Sequence, residues 1–552
     1  MLIQAPDDTI KRIWQRIPGN IKITFFTAFF VGIVTHLYMF TNTLPNHDEF
    51  KNLVGNLEWS IPVNGRWFSP YIAAISGIFS MPWVNGLIAI TFLTISVCLV
   101  ISIARVTNYY YCALISGIMV TIPVVAAHLN FMGVATASIS SIMLACIAAY
   151  IAANYKFGYV YAVIPLVFSI AVYQVSISVI AALFILVLIL DVLNNQVTWQ
   201  KIVLQGSRFV GTLVVGMVIY LLSIRIMFPD GLSTYQGLNQ IGQVSIANIP
   251  DNIFSAYYYM RGFFLRDSRN FHYSFMSYFY MLSFIACGVL VVLWCIKKKL
   301  YKEPVKLILL AVLLVLLPLG CNIIYLMEVH TIHDVMIYST VLIPVFLLII
   351  VDLYYKESNE NIPETQFSTG VAVLFNIIPI ASAWIISITI ALSIFNYWIV
   401  SNQAYFKLNI SYQVTYAQSI LLVSRIQNIP GYTYDKDIVI VGSPHVPEGI
   451  PELQDITVHG AGSPELLLDS WAYTYFLRQY LNFTQNVEHL RFFDTVLGWI
   501  LQEEKVVTAM NIARDMPIYP DDGSIIIKDD TIYVRFAYIF KRCCWERICS
   551  CS

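Results

Sequence analysis

Two carboxylates stand side by side at Asp48 and Glu49, inside the polar stretch Asn46-His47-Asp48-Glu49-Phe50, and Asn64-Gly65-Arg66-Trp67 lies further along the same loop. A carboxylate held near a membrane surface can take the proton from a sugar hydroxyl, because poor solvation there raises its pKa towards that task. An arginine fork suits the oxygens of a departing phosphate. A tryptophan beside it can stack on a sugar face or anchor at the membrane interface. Together these residue types fit a glycosyl transfer whose leaving group is a phosphate. Neighbouring helical residues point in different directions, so only one of the two acids can reach an acceptor. Asn46 and Glu49 also spell a helix N-cap with its capping box, which explains both structurally and leaves Asp48 unassigned. Asp48 is therefore the expected base, with Glu49 second.

Other polar groups are candidates for the same chemistry. The segment from Tyr257 through Arg261 and Arg266 to Arg269 mixes aromatics with arginines. Tyr257 suits sugar stacking, and Arg261 and Arg266 suit phosphate pairing; a snorkelling interfacial segment has the same composition. His330 and His333 sit one helical turn apart with Asp334 beside the second. They suit phosphate contact, or equally a polar turn between two spans; a divalent metal is the less favoured use of that spacing. No cofactor is expected. Phosphate-cradling glycine loops, dinucleotide fingerprints and nucleophile elbows are absent from the sequence, so ATP-driven transport and a cytosolic nucleotide-sugar site lack support.

The elements that must position these groups are membrane helices. The 552-residue chain is 58% hydrophobic and 12% charged, with a mean hydropathy of +0.69. Soluble domains carry about twice that share of charge. A formal net charge of -1 argues against nucleic acid as a partner. A span needs about 20 apolar residues, which predicts about eleven spans, at 23–40, 84–103, 110–127, 132–153, 159–171, 175–192, 209–228, 274–295, 307–326, 335–351 and 371–398. The stretch around Tyr173-Gln174 can be divided in more than one way, and interrupted helices of that kind tend to line cavities. The segment 66–83 is too short to span easily and reads as an interfacial helix.

Lysine and arginine fix the orientation. Lys11, Arg12, Arg16 and Lys22 precede the first span, and Lys297, Lys298 and Lys299 come after the eighth. With eleven spans these fall on one side, the cytoplasmic one. The Asp48-Glu49 loop and the C-terminal region then face outward. The N-terminal residues read as a cytoplasmic leader, with no cleaved signal peptide. Residues 1–400 form the expected transmembrane catalytic domain and 401–552 a small α/β domain. In it, 437–442 reads as a buried strand, 524–535 as a hairpin around Asp529-Asp530, and 470–483 and 487–501 as helices. Cys543, Cys544, Cys549 and Cys551 read as part of a loose tail.

The first span, then His47-Asp48-Glu49, then Asn64-Gly65-Arg66-Trp67 and an amphipathic segment together resemble the Gtr family. These are serotype-converting O-antigen glucosyltransferases of bacteria and their phages, within the GT-C superfamily. The specific part of the resemblance covers about twenty residues. It implies a polyprenyl-phosphate sugar donor, typically undecaprenyl-phosphate glucose, and transfer to the lipopolysaccharide O-antigen at the periplasmic face of the bacterial inner membrane. It maps the family's loop acid onto Asp48 or Glu49, and its GRW segment onto Gly65, Arg66 and Trp67. Adjacent acids depart from the single or spaced acids common in the superfamily. Two rivals are a transporter or flippase for a polyprenyl-linked sugar and an O-antigen polymerase or ligase. A transporter should carry charges within its spans, whereas here they lie mostly at span ends and in loops.

Overall fold

The computed structural model describes residues 5–52, 64–77, 79–229, 231–232, 248–266, 271–326, 332–358, 377–444, 453, 455–462 and 467–537. The chain divides into two compact units. The first comprises Met1–Asn42, Leu57–Asn402 and Thr457–His459; the second comprises Thr43–Asn56, Gln403–Ile456 and Gly460–Ser552.

The first unit is helical. Runs of about 20 apolar residues satisfy their backbone polar groups internally only as helices, since a bilayer offers no water. Among the described residues nine helices are long and apolar enough to cross a membrane: Gly19–Thr41, Pro82–Ala104, Met132–Asn154, Gln174–Asn194, Trp199–Met227, Met276–Lys297, Pro304–Cys321, Tyr338–Lys356 and Ile378–Gln427. The protein is thus a polytopic membrane protein.

Against the expected eleven spans, the described residues hold nine such helices, or ten if a bent pair counts as one. That pair is Tyr109–Thr121 with Pro123–Leu129, bent by 44°. Pro123 lacks the N–H that would continue the first helix, and it opens the second instead. The expected span 159–171 is the shorter apolar helix Gly158–Val172. At a rise of about 1.5 Å per residue it covers less than a hydrocarbon core of about 30 Å. Tyr173, at φ -156, takes an extended conformation and separates it from Gln174–Asn194. The segment 66–83 holds only a short helix, Ser69–Ala73, and a 3-10 turn, Ala74–Ser76, among its described residues ahead of Pro82.

Small residues bring the helices close together, as expected where lipid supplies no hydrophobic drive for association. A Cβ on Gly86 would lie 2.3 Å from the Phe40 ring, and one on Gly216 would lie 2.5 Å from Leu166. Polar pairs also join Met276–Lys297 to Ile378–Gln427: Tyr280 with Ser393 at 2.7 Å, and Ser283 with Thr389 at 2.8 Å.

The second unit contains a four-stranded sheet of order β2-β1-β4-β3, with β1 Asp437–Val441, β2 Val487–Leu490, β3 Ile525–Lys528 and β4 Thr531–Arg535. The central strand β1 runs parallel to both β2 and β4, and β3 returns antiparallel to β4. Four of the five β1 residues are buried because both sheet faces are covered. Ile438, Ile440, Ile532 and Val534 pack against Phe476 and Leu477 of helix Tyr473–Leu481. Val439 and Val441 pack against Val506, Ala509 and Met510 of helix Glu504–Arg514. The hairpin turns through Asp529 and Asp530, both at positive φ. The expected helix 487–501 divides into β2 and helix Phe492–Ile500, because Val487–Leu490 pairs along the edge of β1. Residues 401–427 continue the long helix Ile378–Gln427.

Candidate active-site residues

Asp48 and Glu49 lie in the second unit. Asn46 Oδ1 accepts from the Asp48 N–H at 2.8 Å and from the Glu49 N–H at 3.3 Å, capping the short helix Glu49–Asn52. The cap sets the two acids apart. Glu49 is 2% exposed, whereas the Asp48 side chain keeps 28% of its surface and lies 3.4 Å from His47 Nε2. Phe50 anchors the segment, packing on Phe476 at 4.8 Å and Tyr480 at 6.0 Å between ring centroids. Burial pushes the Tyr480 phenol up, and the nearby Glu49 carboxylate adds to the shift.

Gly65, Arg66 and Trp67 lie in the first unit, docked on the break between Val163–Val172 and Gln174–Asn194. Gln174 leaves the helical ladder there, and its side chain organises the loop. Its Nε2 donates to the Asn64 carbonyl at 2.7 Å and to Tyr220 Oη at 3.0 Å, while its Oε1 accepts from Arg66 Nε at 3.2 Å. Tyr220 donates onward to the Gly65 carbonyl at 3.3 Å. Gly65, at φ +75, meets Tyr220 so closely that a Cβ would lie 2.8 Å from its hydroxyl. The Arg66 guanidinium sits over the Tyr173 ring at 4.6 Å. With Nε engaged, the terminal nitrogens of the guanidinium are the donors that can face a ligand. Trp67 donates through Nε1 to Ser223 Oγ at 3.0 Å and packs against Phe68 and Phe168.

Tyr173 also meets a group that the sequence did not single out. The buried His128 meets the Tyr173 ring edge-on at 6.1 Å. Its Nδ1 lies 3.0 Å from Ser138 Oγ, whose own hydroxyl donates to the Ala135 carbonyl. Nδ1 is therefore the donor, and Nε2 is a buried acceptor without a hydrogen-bond partner among the described residues. His459 lies close by in the same unit. His333 stacks on it at 4.4 Å, Phe131 lies on it at 5.3 Å, and Asp334 Oδ2 accepts its backbone N–H at 2.9 Å. Tyr173-Gln174 and Ile122-Pro123 thus bring aromatic and polar groups together within an apolar bundle, as broken helices can. The available signal was the polar pair Tyr173-Gln174 between two apolar runs.

The remaining expected residues stand elsewhere in the first unit. Tyr257, Arg261 and Arg266 belong to helix Ile249–Leu265 and its C-cap, with both arginines exposed. The Tyr257 hydroxyl donates to the Val315 carbonyl of Pro304–Cys321 at 2.6 Å, which ties two helices together. His330 lies outside the described residues, as do the four C-terminal cysteines.

A guanidinium fixed at Nε and flanked by an aromatic face is built to receive an anion. A partly exposed carboxylate on a capped turn can accept a proton. The family model described as Glucosyl transferase GtrII matches residues 37–348, which hold both groups. No curated protein and no solved structure matches the chain.

Proposed function

Because the chain belongs to the glucosyl transferase GtrII family, matched over more than half its length, we propose that this membrane glycosyltransferase moves one glucose from undecaprenyl phosphate to the lipopolysaccharide O-antigen. The transfer takes place on the periplasmic side of the inner membrane, where nucleotide sugars are not supplied and a lipid-carried donor is the natural source. The acceptor hydroxyl attacks the anomeric carbon from the face opposite the phosphate, so the configuration inverts. Asp48 takes the hydroxyl proton, with Glu49 the second choice because it is buried. The C–O bond to phosphate breaks with its electron pair on the phosphate oxygen, and Arg66 meets the charge that develops there. Arg261, Arg266 and the histidines His330 and His333 are further phosphate contacts in this reading, and Trp67 and Tyr257 are sugar contacts.

The observation that carries the reading is the Arg66 arrangement inside the family-matched residues. Gln174 at Nε, the Tyr173 ring face and the Gly65 turn fix a cation in place. Purified protein supplied with labelled undecaprenyl-phosphate glucose and O-antigen acceptor should yield acceptor carrying one added glucose and free undecaprenyl phosphate. Polymer growth from a lipid-linked oligosaccharide would favour a polymerase. Lipid translocation without transfer would favour a flippase, and use of a nucleotide sugar would refute the donor.

A further inference from the structure

Within the first unit, a cavity that the transfer chemistry does not use lies at the far end of Gln174–Asn194 from Arg66. Gln174, which holds Arg66, and Asp191, which lines the cavity, are about 25 Å apart at a rise of about 1.5 Å per residue. The cavity has a volume of about 260 Å³, and Arg105, Asp352 and Lys356 line it together with Asp191. Four helices end around it: Pro82–Ala104, Met132–Asn154, Gln174–Asn194 and Tyr338–Lys356.

The charged groups divide by what already holds them. The buried Asp352 accepts the backbone N–H groups of Asn108 at 3.2 Å and Thr107 at 3.4 Å, which fixes that wall. Asp191 lies in the field of Arg105, and Asp352 in that of Lys356, without a direct ion pair in either case among the described residues. The carboxamides of Asn194, Gln196 and Gln205 add donors and acceptors to the lining. One to two turns further into the bundle, Val187, Leu190 and Ile349 make the wall apolar. Tyr110, Tyr155 and Trp199 follow the lining segments closely in sequence and are exposed, as aromatic residues are where helices leave a bilayer. The cavity therefore stands at the depth of lipid headgroups.

Two carboxylates and two cations line the cavity, so a ligand of single charge would satisfy one sign and oppose the other, whereas a zwitterion satisfies both. A guanidinium and an ammonium suit phosphate oxygens. A carboxylate among helix carboxyl ends, which carry partial negative charge, suits a cation. We propose that this cavity binds the phosphoethanolamine headgroup of a membrane lipid, its phosphate on Arg105 and Lys356 and its ammonium on Asp191. The primary ammonium donates hydrogen bonds to Asp191 and to the carboxamide oxygens, and the quaternary ammonium of a choline lipid has no N–H to donate. The acyl chains leave past the exposed aromatic residues into the bilayer. This site does not depend on the glucosyl-transfer reading.

The test is native mass spectrometry of the full chain in detergent, titrated with dioleoyl phosphatidylethanolamine, phosphatidylcholine and phosphatidylglycerol. The wild type should bind one phosphatidylethanolamine about tenfold more tightly than either other lipid, the scale of a charge-assisted pair. Lys356→Gln, at an exposed position, should weaken phosphatidylethanolamine and phosphatidylglycerol alike, by about tenfold. Asp191→Asn should weaken phosphatidylethanolamine by a similar factor and leave phosphatidylglycerol unchanged, which a general loss of fold would not do. Equal binding of the three lipids by the wild type, or the full wild-type preference in both variants, overturns the site. Binding of water-soluble glycerophosphoethanolamine as tightly as the lipid would overturn the membrane as the source of the headgroup.

Discussion

Arg66 is gripped on three sides, by the Gln174 carboxamide at Nε, by the Tyr173 ring face and by a backbone turn that Gly65 makes possible. A lysine would keep the charge but lose both the planar face and the fork. Arg66→Lys should therefore leave the protein folded and raise donor KM by about tenfold or more, the scale of losing a charge-assisted pair. Binding of labelled donor to the purified variant reads this directly. At His489 burial pushes the imidazole down to about 4 from the ordinary 6.5. The unfolded chain then takes up a proton that the folded chain refuses, so stability is fully present above about 6.5 and declines as pH falls towards 4. Acid unfolding of the full chain, tracked by tryptophan fluorescence, should show that loss, and His489→Gln should lessen it.

Elements differ in how legible they were. Long apolar runs with polar ends were plain, because only helices can carry them through lipid. Of the two interruptions, Tyr173-Gln174 fell between the expected spans 159–171 and 175–192, where the extended Tyr173 places it. Pro123 was harder, since it sits inside an unbroken apolar run. Of the site, Asp48, Glu49 and Gly65-Arg66-Trp67 were visible as local polar islands. Gln174, Tyr220 and His128 were not, since what selects them is contact across more than a hundred residues of chain or burial against Tyr173. Val487–Leu490 was misread as helix because four residues are too few to show a period, and its partner β1 decides the matter. The hairpin was legible, since adjacent Asp529 and Asp530 suit a two-residue turn. Both hold positive φ, at 49 and 64. Replacing them with Asn-Gly should stabilise the second unit by about 0.5–1 kcal/mol, visible as a raised unfolding midpoint.

At the scale of the whole molecule, the described spans build a bundle for lipid, and the second unit adds a sheet whose two faces are covered by helices. Family membership states that a glucosyl group moves, and the proposal adds a polyprenyl phosphate as its source and a carboxylate as its base. A general base contributes about 10²–10⁴-fold to rate. The most direct measurement is the single-turnover rate of glucose transfer from undecaprenyl-phosphate glucose, for wild type, Asp48→Asn and Glu49→Gln with equal donor bound. The account predicts a fall of about 10²-fold or more in Asp48→Asn, a smaller fall in Glu49→Gln, and one undecaprenyl phosphate released per glucose moved. Wild-type rates in both variants, or no transfer from this donor by the wild type, would contradict it.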